Sequence, residues 1–65
     1  MTPAEKISFI QEEIDRMSMY DGVSYKKALA EQIYGMVLIL DISGEMTYAT
    51  REHLMKQIEK ELKNA

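Results

Sequence analysis

His53 is the single histidine of the 65-residue chain and the first side chain to consider for chemistry. It follows Arg51 and Glu52 in a segment with helical periodicity. Catalysis by histidine usually requires an orienting carboxylate together with a nucleophile or a pocket, and the surrounding sequence contains no such group. We therefore expect a partly exposed helix residue rather than a general base or a metal ligand.

Acidic residues form two groups that superficially look like cation sites. Asp41, Ser43 and Glu45 are spaced two apart around Gly44, but an EF-hand loop needs a longer array of acids and a terminal glutamate. Residues 12–15 hold three further acids, most of which fall on the outward side of an amphipathic helix. Capping, turn formation and solvation account for both groups, so we predict no metal site.

The chain contains no nucleotide-binding or hydrolase motif. Its three glycines are isolated, which excludes a glycine-rich phosphate loop, and neither Gly-x-Ser-x-Gly nor HExxH occurs. Cysteine is absent, so neither a disulfide framework nor a thiolate zinc site is available. We predict a protein that is not an enzyme and that binds no cofactor.

The elements that position these residues are three predicted helices in a single all-α domain, residues 1–65. Thr2 and Glu5 form a capping box before the first helix. Ser24 is the expected N-cap of the second helix, and Ser43-Gly44 is its expected stop. We therefore expect a small three-helix bundle, or a helical hairpin plus a third helix. The predicted helices cover about residues 3–20, 25–42 and 48–63.

The central helix, about residues 25–42, is unusually apolar, since 11 of the 15 residues from Ala28 to Ile42 are hydrophobic. Such a helix is covered on more than one side, so we expect it to be the most buried element and dimerisation to complete its burial. One helical face carries Leu29, Ile33, Met36, Val37 and Leu40. The opposite face, the candidate interface, carries Ala28, Gly35, Leu38, Ile39 and Ile42.

Residues 36–42 are rich in β-branched side chains, which also favour a buried strand. The segment Ile39-Leu-Asp-Ile-Ser-Gly-Glu-Met-Thr-Tyr-Ala-Thr-Arg-Glu-His-Leu54 resembles the strand, Gly-Glu turn and following helix of STAS domains. The resemblance covers under half of the chain, and the family's phosphorylatable serine lies outside the matched part, so Ser43 does not inherit that role. A lone strand leaves backbone groups unpaired, and we therefore predict a helix here.

Charge and hydropathy restrict the expected partners and location. The formal net charge is −3, and residues 1–21 carry five acidic side chains against two basic ones. Because the basic residues are scattered among acids, nucleic acid is not the expected partner. The chain begins without a signal-peptide pattern, and no apolar run approaches the roughly 20 residues of a membrane span. We expect a cytoplasmic protein that makes no membrane contact.

Two functions are compatible with these observations. The first is a small, self-associating protein–protein interaction module that acts as an adaptor, a regulatory subunit or an inhibitor of a larger protein, with another protein or a second copy as its partner. The alternative is a helix-turn-helix regulator that turns through Ser43–Met46 and directs Arg51, Lys56 and Lys60 of the third helix toward DNA phosphates.

Overall fold

The structure, a computed structural model, describes residues 1–64 and contains three helices. They are α1 (Pro3–Met17), α2 (Val23–Ile42) and α3 (Tyr48–Lys63). The prediction of a small all-α bundle is confirmed. Residues 36–42 lie within α2, so the helical interpretation of this segment is confirmed as well.

Local capping signals determine most of the helix ends. The Glu5 backbone N–H donates to Thr2 Oγ1 at 3.2 Å, and the Thr2 backbone N–H donates to Glu5 Oε1 at 3.1 Å, which is the predicted capping box. Thr47 caps α3 by accepting a hydrogen bond from the Thr50 backbone N–H at 3.2 Å. Both helices therefore begin directly after a threonine N-cap.

The end of α2 is a Schellman motif. Gly44 has a φ of 75°, in the left-handed region that glycine adopts without strain. The Glu45 N–H donates to the Leu40 carbonyl at 2.9 Å, and the Gly44 N–H donates to the Asp41 carbonyl at 3.2 Å. The stop predicted at Ser43-Gly44 is confirmed.

The turn between α1 and α2 differs from the prediction. The first helix ends at Met17 rather than near residue 20, because its last turn tightens: the Met19 N–H donates to the Arg16 carbonyl at 2.9 Å and the Tyr20 N–H donates to the Met17 carbonyl at 3.2 Å. The second helix begins at Val23 with Gly22 as its N-cap, so the predicted N-cap Ser24 lies inside the helix. The second helix is therefore two residues longer at its N-terminal end than predicted, and residues 18–22 form the turn between α1 and α2.

Contacts between helix ends define an up-down-up bundle. Lys6, near the start of α1, contacts Glu45, just after the end of α2. Lys26, near the start of α2, contacts Glu61, near the end of α3. Neighbouring helices are therefore antiparallel, and every pair of helices packs together.

The core is a single apolar cluster between the three helices. Its most buried members include Ile10, Ile33 and Ile58, each no more than 1% exposed. The predicted inner face of α2 points into this cluster: Ile33 and Val37 are fully buried, Leu40 is 5% exposed, and Leu29 and Met36 are partly buried. The cluster consists of Ile10, Ile14, Met17, Ala30, Ile33, Val37, Leu40, Met46, Leu54 and Ile58.

A candidate protein-binding surface on the central helix

The five residues of the candidate interface are all solvent-exposed, and we refer to them as the outer face of α2: Ala28, Gly35, Leu38, Ile39 and Ile42. The large side chains are the most notable, since Leu38 is 56%, Ile39 is 66% and Ile42 is 76% exposed. They lie within two helical turns at the C-terminal end of the helix. The structure therefore brings three large aliphatic side chains together on one surface.

The outer face is exposed because α1 and α3 both pack against the opposite side of α2. With 3.6 residues per turn, Ile33, Val37 and Leu40 lie on the side of the helix opposite Gly35 and Ile42. Both neighbouring helices contribute to the cluster around the inner residues. Two short helices on one side leave the other side of a 20-residue helix uncovered.

Apolar side chains extend this surface toward both neighbouring helices. On the α1 side, Ile39 borders a groove with Phe9, which is 44% exposed, and with Met36. On the α3 side, Leu38 borders a groove with Met55. The outer face is thus the centre of a broader apolar strip rather than an isolated group of three residues.

An ion pair borders the strip on the α1 side. Lys6 Nζ donates to Glu45 Oε1 at 2.7 Å, and the Ser43 hydroxyl donates to Glu45 Oε2 at 2.7 Å. The hydrogen bond from Lys6, supported by that from Ser43, lowers the pKa of the Glu45 carboxyl below its ordinary value. The charges of Lys6 and Glu45 on this edge therefore neutralise each other within the chain.

A second ion pair borders the strip on the α3 side. Arg51 Nη1 lies 3.1 Å from Asp41 Oδ2, and its Nη2 lies 3.4 Å from Glu52 Oε1. The charge of Asp41 raises the pKa of the Arg51 guanidinium, which also lies 5.1 Å from the Tyr48 ring centroid. Arg51, a candidate phosphate contact of the helix-turn-helix alternative, is thus engaged by carboxylates of its own chain.

The N-terminal half of the exposed side of α2 is polar. Ser24, Lys27, Glu31 and Gln32 are exposed there, and Ala28 is the one apolar residue of the outer face in this half, since the exposed Val23 and Tyr25 lie on the flanks of the helix. The apolar part of the outer face therefore ends about one helical turn before Gly35. This boundary limits how far along α2 an apolar partner can extend.

The other residues considered for chemistry do not form a site. His53 is exposed on α3, and Asp41 and Glu45 are each held by a cation of the chain rather than directed toward a common point. In the acidic segment of α1, Glu13 pairs with Arg16 at 3.1 Å, and Asp15 accepts from Gln11 at 3.1 Å. Residues 1–64 contain no cluster of three or more potential metal ligands.

Two interhelical polar contacts were not predicted from the sequence. Lys26 is 5% exposed, and its Nζ lies 3.4 Å from the Glu61 carbonyl oxygen and 3.8 Å from the Glu61 carboxylate. A cation at this position interacts favourably with the C-terminal end of the α3 dipole. The amides of Gln11 and Gln57 donate to one another at 2.7 and 3.0 Å and join α1 to α3.

Comparison with known protein families, with curated proteins and with solved structures finds no match to this chain. Within the described part of the chain, no helix has both the length and the apolar character needed to cross a membrane. The outer face of α2 and its surroundings are therefore the basis on which we assign a function.

Proposed function

We propose that the protein is a non-enzymatic protein–protein interaction module that self-associates through the outer face of α2 and serves as an adaptor, a regulatory subunit or an inhibitor of a larger protein. The exposure of Leu38, Ile39 and Ile42 together on one helix carries this proposal. Single exposed aliphatic residues are common on protein surfaces, whereas contiguous apolar patches bordered by polar residues mark sites of interaction.

The size of the domain supports association with another chain. A domain of about 60 residues buries only roughly 60% of the surface that its unfolded chain exposes, so its stability is marginal. The chain has no cysteine for a disulfide. Packing a partner against the outer face would cover α2 on both sides and add apolar burial that one copy alone lacks.

The expected affinity follows from the amount of apolar surface. Burying the exposed part of one leucine or isoleucine contributes roughly 1–2 kcal/mol. Six such side chains in two copies contribute on the order of 6–12 kcal/mol, and association costs about 4–15 kcal/mol in lost translational and rotational freedom. The most favourable combination of these values leaves about 8 kcal/mol, which corresponds to a dissociation constant of roughly 1 μM, and every other combination gives weaker binding. We therefore expect reversible self-association that is micromolar at its tightest rather than an obligate dimer.

The charges around the outer face favour an uncharged apolar partner surface. The basic side chains at both edges are engaged within the chain, since Lys6 pairs with Glu45 and Arg51 pairs with Asp41 and Glu52. A strongly charged partner therefore gains little at these edges. The same patch on a second copy is apolar at its centre, which satisfies this requirement.

Sedimentation of the wild type and of Ile39→Glu tests the proposal. We expect the wild type to pass from monomer to dimer between low-micromolar and submillimolar concentrations. We expect Ile39→Glu to weaken association by roughly 100-fold or more, because a carboxylate in an apolar interface loses its hydration without gaining a partner. Circular dichroism should show the same helix content for both proteins, since Ile39 is 66% exposed in the single chain.

Lys60→Glu is the matched control, because it also introduces a glutamate at an exposed helix position but lies on α3. This variant should associate like the wild type. A wild type that remains monomeric throughout the range, or an Ile39→Glu protein that associates as the wild type does, contradicts self-association through the outer face.

A further inference from the structure

The outer face of α2 contains both a large exposed side chain and an exposed position without a side chain. Ile42 is 76% exposed. A Cβ atom placed on Gly35 would meet open space, because no heavy atom of residues 1–64 lies within 4 Å of it apart from Gly35, its two chain neighbours and the nearby backbone of α2 itself. The two residues are seven positions apart, so they lie on nearly the same side of the helix at levels about 10 Å apart.

Gly35 leaves room for close approach by another chain at the middle of α2. Glycine is the least favourable residue in a helix interior after proline, and Gly35 lies in the middle of the 20-residue α2. Neither a neighbouring side chain nor a positive φ requires a glycine at this position in the described structure. A side chain that packs against the helix from outside would use the space that the missing Cβ leaves.

We propose that a second copy docks antiparallel on α2 across a two-fold axis that passes between Leu38 and Ile39, so that Ile42 of each copy packs over Gly35 of the other. This inference rests on the proposed function. Leu38 then contacts Leu38 of the second copy on one side of the axis, and Ile39 contacts Ile39 on the other. Each copy contributes the same patch, as a closed two-fold interface requires.

Steric fit favours the antiparallel arrangement over a parallel one. In a parallel pair in register, Ile42 meets Ile42 and Gly35 meets Gly35. Two large side chains then collide at one level of the interface, and a gap remains at the other. The antiparallel pair instead places Ile42 of each copy over Gly35 of the other, so that large and small residues alternate as they do in close-packed interfaces. Antiparallel helices also align their dipoles favourably.

The exposed charges of α2 disfavour the parallel arrangement. A parallel pair places Glu31 beside Glu31 and Lys27 beside Lys27 of the second copy, and such like-charge pairs disfavour association. An antiparallel pair centred on Gly35 places Glu31 level with Ile39. Centring the axis between Leu38 and Ile39 instead places Glu31 beyond the C-terminal end of the facing α2 and clear of the apolar side chains.

Disulfide formation between single-cysteine variants tests the register, because the natural chain contains no cysteine. Gly35→Cys and Ile42→Cys are mixed in equal amounts under mild oxidation at a concentration at which the wild type is dimeric. We expect the mixed disulfide to form at least about tenfold faster than either homodisulfide, since only the mixed pair is held close together in the complex. The substitutions also compensate in volume, because one adds atoms where the other removes them.

The distance between spin labels is a second test of the register, and it uses a labelled position outside the proposed interface. Spin labels on Ser24→Cys, an exposed position at the start of α2, should be roughly 40–45 Å apart in the antiparallel dimer, given a rise of 1.5 Å per residue. A parallel dimer places them side by side, at about 10–15 Å.

Lys60→Cys is the control for the disulfide experiment. Its cysteine lies outside the proposed interface and therefore measures the rate of disulfide formation by random collision.

Each outcome of these measurements bears on the inference. A short distance between the Ser24 labels, or homodisulfides of Gly35→Cys that form faster than the mixed disulfide, overturns the antiparallel register. A mixed disulfide that forms no faster than that of Lys60→Cys overturns it as well. If Ile39→Glu still abolishes association in either case, self-association through the outer face stands and only the register is wrong. A monomeric wild type contradicts both the proposed self-association and the antiparallel register.

Discussion

Replacing Ile33 with alanine is expected to remove about 2–5 kcal/mol from the free energy of unfolding, because it deletes buried methyl and methylene groups and leaves a cavity. Ile33 is 0% exposed and lies at the centre of the inner face of α2. A domain of this length has a total stability of roughly 3–10 kcal/mol, so the variant should be partly or wholly unfolded at 37 °C. Urea unfolding followed by circular dichroism measures the change.

Ile39→Ala is the matched control, since it makes the same substitution on the same helix but on the outer face. At a concentration at which the protein is monomeric, it should change the free energy of unfolding by less than about 0.5 kcal/mol, as exposed positions usually do. Equal destabilisation by Ile33→Ala and Ile39→Ala would contradict the division of α2 into a buried and an exposed face.

Replacing Gly35 with leucine should have opposite effects on folding and on association. In the monomer the leucine meets open space, so its better helix propensity should stabilise the fold by about 0.5–1 kcal/mol. In the dimer it occupies the space proposed for Ile42 of the second copy. Overpacking typically costs about 1–3 kcal/mol for each site and there are two sites, so the dissociation constant should rise roughly 100-fold.

Thermal unfolding of the dilute protein and sedimentation of the concentrated protein measure these two effects separately. His53→Leu adds the same side chain at an exposed position of α3 and should leave association unchanged. A Gly35→Leu protein that dimerises as tightly as the wild type would show that nothing packs closely against Gly35.

Much of the fold was predictable because its signals are local. The capping box of Thr2 and Glu5 and the Ser43-Gly44 stop each depend on a few consecutive residues, and the structure contains both. The N-cap of α2 was predicted wrongly as Ser24, because serine is the stronger capping residue locally, whereas the chain enters the helix at Gly22 without a side-chain cap. Local preference alone did not settle that boundary.

Contacts between helices were less predictable. The Lys26–Glu61 and Gln11–Gln57 contacts join residues 35 and 46 positions apart, so no local pattern indicates them. The helical wheel separated the two faces of α2 correctly. It did not indicate that α1 and α3 pack on the same side of α2, which depends on the geometry of both turns and decides which face remains exposed.

A dilution series of two-dimensional amide spectra tests most directly the central claim that a second copy binds the outer face of α2. We expect concentration-dependent shifts centred on residues 35–42 and weaker shifts around Phe9 and Met55, which line the adjoining grooves. The exposed outer side of α3, including Lys60, should not shift. Shifts confined to α3, or spectra that are identical from low-micromolar to submillimolar concentrations, would contradict the claim.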